Sequence, residues 1–100
     1  MKSIKKELSD HIEYRNENDQ FHREDGPALI WFKYNNPYNI YAESWWINGK
    51  RHRIGAPAVV YANGDEHYFI EDISYPKHQY WKALVDKGLM TKEEVFLHLL

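Results

Sequence analysis

One stretch occurs twice in this sequence, and the repetition restricts the fold more than any other feature. The first copy begins with His22-Arg23 and the second with His52-Arg53. In both copies a Pro-Ala pair follows at the same offset, and two aliphatic residues and an aromatic residue come next. Two further segments resemble each other in the same way: Glu43-Ser44-Trp45-Trp46-Ile47 and Glu66-His67-Tyr68-Phe69-Ile70. Such duplication at fixed spacing is typical of a fold built from repeated supersecondary units.

Each copy leads into residues that predict a β-hairpin. After the first copy we expect a strand over residues 28–34, a loop over residues 35–39 and a returning strand over residues 40–47. Asn48-Gly49 follows, a pair typical of type I′ turns because both residues tolerate positive φ. The second copy has its turn at Asn63-Gly64. The longer loop of the first copy is either an added functional loop or drift, because insertions at loop tips cost little.

The two ends of the chain depart from this pattern. Ile4 and Leu8 lie at helical spacing and predict one helical turn near the N-terminus. From Ser74 onward the apolar period is helical, with Ser74 as the cap and Gly88 as the stop. The apolar stripe of this helix is Tyr80, Trp81, Leu84 and Val85. Thr91 begins a capping box with Glu94 and opens a last helix, whose apolar residues are Val95, Phe96, Leu99 and Leu100.

We therefore predict a single domain over residues 1–100 of the α+β class. Residues 12–73 form an antiparallel meander of repeated β-hairpins, and residues 74–100 form a C-terminal helical hairpin. A chain of 100 residues is close to the commonest domain size, which leaves room for one modest core.

Apolar residues are consecutive in the predicted strands, as at Trp45-Trp46 and Val59-Val60. Because neighbouring strand residues point to opposite sides, both faces of the sheet are predicted to be apolar. Two short helices can cover only one of them. The other is therefore expected to be an aromatic contact surface, since large apolar patches are rarely left bare on a monomer. The alternative is that Tyr and Trp simply form an amphipathic outer layer.

The segments from His22 to Ala28 and from Trp45 to Arg53 carry a family resemblance. They resemble small phage and bacterial proteins with a Trp-Tyr-x-Asn-Gly-Lys-x-His-Arg-x-x-Gly-Pro-Ala repeat, which is similar in style to MORN hairpin repeats. The second copy departs from this pattern at Ile54-Gly55-Ala56, where an acidic pair is replaced and the Gly is shifted. The resemblance implies a stack of hairpins and phage proteins of early infection, which frequently inhibit host or defence proteins. It implies no catalytic residues.

Composition excludes several classes of function. A net charge of −2 makes nonspecific nucleic-acid binding unexpected, because such proteins usually carry a basic excess. The absence of cysteine excludes thiol catalysis and Cys-based zinc sites and suits a reducing cytoplasm. The first residues have no apolar run behind their positive charge, so no secretory signal is expected, and no stretch has the ~20 apolar residues of a membrane span.

The main functional prediction is a non-enzymatic protein-binding module without a cofactor. Buried aromatic side chains dominate the energetics of protein interfaces, so the predicted anchors are Trp31, Tyr38, Trp45 and Trp46. On the family resemblance, the partner is expected to be a host or anti-phage defence protein. The location is then the cytoplasm of the host cell.

Two alternatives stay open. In the first, His22, Arg23, His52 and Arg53 bind a nucleotide or small phosphate ligand through charge-assisted hydrogen bonds. These residues can equally be structural, bonding the neighbouring turn and pairing with Glu24 or Asp25. In the second, the chain is a self-associating structural protein. No metal site is expected, because His52 and His67 with Asp65 or Glu66 match no recognised ligand pattern.

Overall fold

A seven-stranded antiparallel sheet forms most of the computed structural model, which describes residues 2–100. The strands are β1 (Ile4–Glu7), β2 (His11–Arg15), β3 (Leu29–Lys33), β4 (Asn36–Ser44), β5 (Trp46–Ile47), β6 (Lys50–Arg51), β7 (Val59–Tyr61), β8 (Glu66–Ile70) and β9 (Ile73–Tyr75). The sheet order is β1-β2-β3-β4-β7-β8-β9, and β5 and β6 form a separate hairpin between β4 and β7. Two helices follow, α1 (Lys77–Asp86) and α2 (Lys92–His98). The α+β class, the antiparallel sheet and the C-terminal helices are thereby confirmed.

The pairing register defines the two sides of the sheet. Directly paired residues project to the same side, and side chains alternate along each strand. One side, which we name the open face, carries His11, Trp31, Ala42, Ser44, Val59, Tyr61 and His67. The opposite side, the helix face, carries Ile12, Ile30, Glu43, Val60, Glu66, Tyr68 and Ile70.

The helices pack on one end of the helix face. Tyr80 and Leu84 of α1 are fully buried and join Tyr68 and Ile70 of β8 in the main apolar cluster, together with Met90. The Tyr68 and Tyr80 rings lie 4.7 Å apart. This cluster lies at β8, and Tyr75 of the neighbouring strand β9 packs against it.

The predicted ends of the helices are partly correct. Gly88 has a φ of 72° and follows the C-terminal cap of α1, as predicted. Thr91 and Glu94 form the predicted capping box. Ser74 is not a cap, because it pairs with Phe69 as part of β9, and Pro76 stands at the start of α1 instead. Neither helix within residues 2–100 is long and apolar enough to cross a membrane.

The predicted loop over residues 35–39 is wrong. The turn occupies only Tyr34 and Asn35, with φ values of 57° and 54°, and β4 begins at Asn36. β4 has residues without a partner on β3, and register shifts on both sides of Phe32 accommodate them. A strand irregularity of this kind leaves ladder positions unpaired, which suits Pro37 because proline has no N–H to donate.

The helical turn predicted near the N-terminus is also wrong. Ile4 and Glu7 bound β1, which pairs along its length with β2. A single helical turn is unstable in isolation, whereas pairing with β2 satisfies the backbone. The lysines of this edge strand also discourage pairing with other chains.

The apolar residues of α2 were expected to cover the sheet, and most of them do not. Val95 packs against the main cluster. Four other apolar residues, in α2 or directly after it, have side chains that are exposed by between 58% and 85%: Phe96, Leu97, Leu99 and Leu100. A helix of this length turns only a narrow stripe toward its support, so the remaining apolar residues face outward.

Candidate functional site

A groove on the open face combines exposed aromatic rings with short buried side chains. Its volume is about 330 Å³. Ala42 and Ser44 are buried, whereas Trp31 and Tyr41 are 37% and 50% exposed. The full lining is Trp31, Tyr41, Ala42, Glu43, Ser44, Trp46, Arg51, Val59 and Tyr61. The rings therefore stand beside a base of small residues, and this leaves room for a side chain from another molecule.

Neighbouring groups hold the tryptophans of this groove in place. The ring of Trp31 lies 4.4 Å from that of His11 on the adjacent strand. Trp46 donates its Nε1 hydrogen to Ser44 Oγ at 2.7 Å and packs against Phe21 with ring centroids 5.3 Å apart. Because these contacts restrict the rings before any partner arrives, less side-chain freedom is lost on binding.

Two arginines add charge to the open face. Arg51 lies 4.2 Å above the Phe69 ring and pairs with Asp72 at 2.7 Å. The hydrogen bond from Arg51 holds the pKa of the Asp72 carboxyl below its usual range. Arg15 lies over the Phe21 ring and pairs with the buried Glu13, whose pKa is lowered chiefly by that hydrogen bond. Both guanidinium groups thus cover aromatic rings while their charge is balanced by a carboxylate.

The four predicted anchors do not form one site. Trp31 and Trp46 line the groove on the open face. Trp45 lies in a different cleft, where the guanidinium carbon of Arg53 is 3.7 Å from its ring centroid. Tyr38 is 96% exposed in the first half of β4. Two of the four predicted residues therefore line the groove, and the other two lie outside it.

The two histidines of the repeated stretch have the same hydrogen-bond role. His22 Nδ1 accepts from the backbone N–H of Asn48, and His52 Nδ1 accepts from that of Glu71, both at 3.0 Å. An accepting Nδ1 places the hydrogen of the neutral ring on Nε2. Each histidine consequently fixes the turn that follows its own copy and presents Nε2–H as a donor.

The two arginines of the repeated stretch are also equivalent. Arg23 lies 4.1 Å above the Tyr14 ring, as Arg53 does above that of Trp45. Both donate Nη1–H to a proline carbonyl at 3.1 Å, Arg23 to Pro27 and Arg53 to Pro57. These contacts are structural. A structural role was one of the two roles that the sequence allowed for these residues, and ligand binding was the other.

A second cleft, of about 790 Å³, lies between the two copies of the repeated stretch. Three of the four predicted ligand-binding residues line it: Arg23, His52 and Arg53. His22 is only 2% exposed and does not line this cleft. We name this region the Arg53 cleft; its other lining residues are Glu24, Asp25, Gly26, Pro27, Trp45, Ile47 and Ile54.

Residues 2–100 contain no group of three or more His, Asp or Glu side chains arranged to hold a metal ion. Comparison of the chain with protein-family models, with curated proteins and with solved structures found no match.

Sequence reasoning missed Tyr41, Tyr61 and Arg51 of the groove. Tyr61 could have been found, because it occupies in the second copy the position of Trp31 in the first. Tyr41 and Arg51 carry no such signal. They reach the groove only through the pairing of β4 with β7 and through the short β5–β6 hairpin.

Proposed function

We propose that this protein is a non-enzymatic protein-binding module whose contact surface is the aromatic groove of the open face. The observation that carries the proposal is the exposed Trp31 ring beside the buried Ala42 and Ser44. Trp and Tyr are the residue types most enriched at binding hot spots. The main apolar cluster, in which Tyr80 and Leu84 of α1 are buried, lies on the helix face and not on this side of the sheet.

The size of the groove suits one large apolar side chain of a partner. A partner residue inserted over Ala42 and Ser44 would bury its own surface and that of Trp31. Burial of apolar surface is worth about 25 cal/mol per Å² before the costs of association are subtracted. The surrounding Arg51–Asp72 pair, 2.7 Å apart, would then form part of the polar rim that excludes water around such a contact.

On the family resemblance, we further propose that the partner is a host or anti-phage defence protein in the host cytoplasm. The protein would act by occupying a surface of that partner. No chemical step by this chain is required for such a role.

We also propose that the two copies are units of a hairpin repeat. The backbone N–H of Ala28 donates to Ser44 and that of Ala58 donates to His67, both at 2.9 Å. The carbonyl of each of these alanines accepts from the backbone N–H of an aromatic residue that precedes the copy, Tyr14 for Ala28 and Trp45 for Ala58. Both alanines are fully buried. Equivalent bonds at equivalent positions support a shared unit.

The direct test is capture of a partner from host lysate by tagged wild-type protein and by Trp31→Ala. Trp45→Ala is the matched control, because it removes the same side chain from the opposite side of the sheet. We expect wild type and Trp45→Ala to retain the same protein and Trp31→Ala to lose it. Circular dichroism and urea unfolding establish that each variant is folded.

Equal capture by wild type and folded Trp31→Ala would contradict the proposed surface. Tyr38→Ala provides a second control, since this side chain is almost fully exposed and does not line the groove. Sedimentation equilibrium over a wide concentration range separates the remaining alternative. A mass that rises with concentration in wild type and not in Trp31→Ala would assign the groove to self-association instead.

A further inference from the structure

In the first copy of the repeated stretch, one carboxylate pairs with the arginine and another lies near the histidine. Arg23 Nε donates to Asp25 Oδ1 at 2.9 Å, and this bond is the largest cause of the lowered pKa of Asp25. His22 Nε2 lies 3.6 Å from Glu24 Oε1. That distance exceeds a direct hydrogen bond, and the buried Nε2 of His22 has no hydrogen-bond partner within residues 2–100. In the first copy, therefore, an adjacent Glu-Asp pair faces the His-Arg pair.

The second copy retains the donors and lacks both carboxylates. His52 and Arg53 keep their backbone bonds, but Ile54 and Gly55 stand where the first copy has Glu24 and Asp25. No carboxylate of residues 2–100 forms an ion pair with Arg53 within 4.0 Å. Glu43 attracts it only at longer range.

Burial is unfavourable for this cation, which shares its cleft with Glu24 and with the Arg23–Asp25 pair but has no ion pair of its own within residues 2–100. Arg53 is half-buried over the Trp45 ring, and its burial lowers the pKa of the guanidinium, with Tyr80 and Glu43 opposing the change. A partly desolvated charge is stabilised when an opposite charge reaches it. Its neighbour His52 presents Nε2–H in the same cleft.

The helices account for one of the two missing carboxylates. Gly55 has a φ of 91° and donates its N–H to the Tyr80 hydroxyl at 2.9 Å, and a Cβ there would lie 2.9 Å from the ring of His98. An aspartate cannot fit beside His98 without a shift. Ile54, in contrast, is 46% exposed, so packing against the helices does not explain the absence of glutamate at that position.

We propose that the Arg53 cleft binds a carboxylate ligand, with Arg53 and His52 as donors and Trp45 as the apolar wall. The Arg23–Asp25 ion pair of the first copy, at 2.9 Å, is an internal version of this contact, so an acidic peptide segment is the ligand class that fits. This site is separate from the groove of the open face and does not depend on the function proposed for that groove.

The probe is the blocked dipeptide acetyl-Glu-Asp-amide, titrated into ¹⁵N-labelled protein and followed by the Trp45 indole and Arg53 Nε signals. The blocked dipeptide acetyl-Gln-Asn-amide has the same shape without charge. Succinate and inorganic phosphate form two further arms, which separate a peptide ligand from a free dicarboxylate and from a phosphate. We expect saturable shifts with the acidic dipeptide that weaken at least tenfold with its neutral analogue and that diminish with added salt.

Two variants give the proposal its sharpest test. Ile54→Glu restores the internal carboxylate at an exposed position, so it should keep the fold and weaken dipeptide binding at least tenfold. Arg53→Gln should do the same by removing the donor. Lys82→Gln removes an equal charge from the exposed surface of α1, where Lys82 pairs with Asp86, and should bind as wild type does.

Three results would overturn the proposal. They are equal affinity of folded Ile54→Glu and wild type, equal affinity for the acidic and neutral dipeptides, and saturation by phosphate with no response to either dipeptide or succinate. Succinate binding as tightly as the dipeptide would support the carboxylate site and identify a free acid as sufficient.

Discussion

Replacement of Tyr80 by phenylalanine removes the hydroxyl group that joins α1 to the turn of the second copy. Tyr80 is fully buried. Its hydroxyl accepts from the Gly55 N–H at 2.9 Å and donates to the carbonyl of Arg53. The ring itself packs against Tyr68, and Tyr80→Phe keeps that contact. The substitution therefore isolates the hydrogen bonds of the hydroxyl, which also has a longer contact to the Ala56 carbonyl at 3.3 Å.

The expected cost follows from the groups left behind. A buried backbone group without its partner costs about 1–3 kcal/mol. Two such groups are left, both at a part-buried turn that water can partly reach, so we expect a loss of about 2 kcal/mol. A domain of this size loses about 4–8 °C in Tm for each kcal/mol, so Tm should fall by about 8–16 °C.

The ionisation of Tyr80 provides an independent readout. Burial raises the pKa of its hydroxyl above the ordinary value. The folded protein therefore holds this proton more tightly than the unfolded chain, and the associated stability is complete below pH ~10 and is lost as pH rises through the higher folded pKa. Wild-type protein should accordingly lose stability above pH ~10 more steeply than Tyr80→Phe.

The assay is urea unfolding at pH 7 and across pH 8–11, with Tyr34→Phe as the control. Tyr34 is 86% exposed in the β3–β4 turn, so loss of its hydroxyl should change the free energy of unfolding by less than ~0.5 kcal/mol. A Tyr80→Phe variant as stable as this control, with an unchanged m-value, would refute the view that the hydroxyl anchors α1.

Three further predictions concern separate parts of the fold. Thr91→Ala removes the capping hydroxyl of α2, which accepts from a backbone N–H at 3.1 Å, and should cost about 1 kcal/mol in urea unfolding. Ala58→Val overfills a site with no exposed surface and should cost about 1–3 kcal/mol, whereas Ala62→Val at an exposed position should cost little. Asp72→Asn removes the ion pair with Arg51; because the pKa of Asp72 is depressed, the loss should be under ~1 kcal/mol at pH 7, given partial exposure, and should vanish as pH falls below ~4.

Turns show where local sequence was sufficient and where it was not. Asn48 and Gly49 were predicted to form a type I′ turn, and their φ values of 48° and 79° confirm positive φ at both positions. Glu71 and Asp72 also have positive φ, 47° and 68°; aspartate tolerates this region, but glutamate does not signal it. His52 supports that turn by accepting from the Glu71 N–H, and no short pattern in the sequence encodes this contact.

The candidate site was predictable to a similar extent. Exposed aromatic side chains were expected, and Trp31 is one of them. Alternation along an extended chain was enough to predict that Trp45 and Trp46 point to opposite sides, and the structure places them in different clefts. The exposure of the apolar side chains of α2 was not predictable, because their spacing along the chain is typical of a helix that buries an apolar stripe.

We infer that the helices both end the proposed series of hairpins and favour Gly55 in the second copy, where the first copy has Asp25. In the proposed repeat, Tyr14, Trp45 and Tyr68 are equivalent ring positions, and arginines cover the first two at 4.1 and 3.7 Å. On Tyr68 that position is taken by the Tyr80 ring of α1.

A further hairpin cannot stack where a helix already lies, so α1 terminates the series. The same helix brings its hydroxyl to the Gly55 N–H, and α2 brings His98 to the space beside Gly55. The φ of 91° at Gly55 also favours glycine by itself, and Asp25 of the first copy is not among the residues with positive φ. Glycine at this turn is therefore favoured by the backbone conformation as well as by the approach of His98.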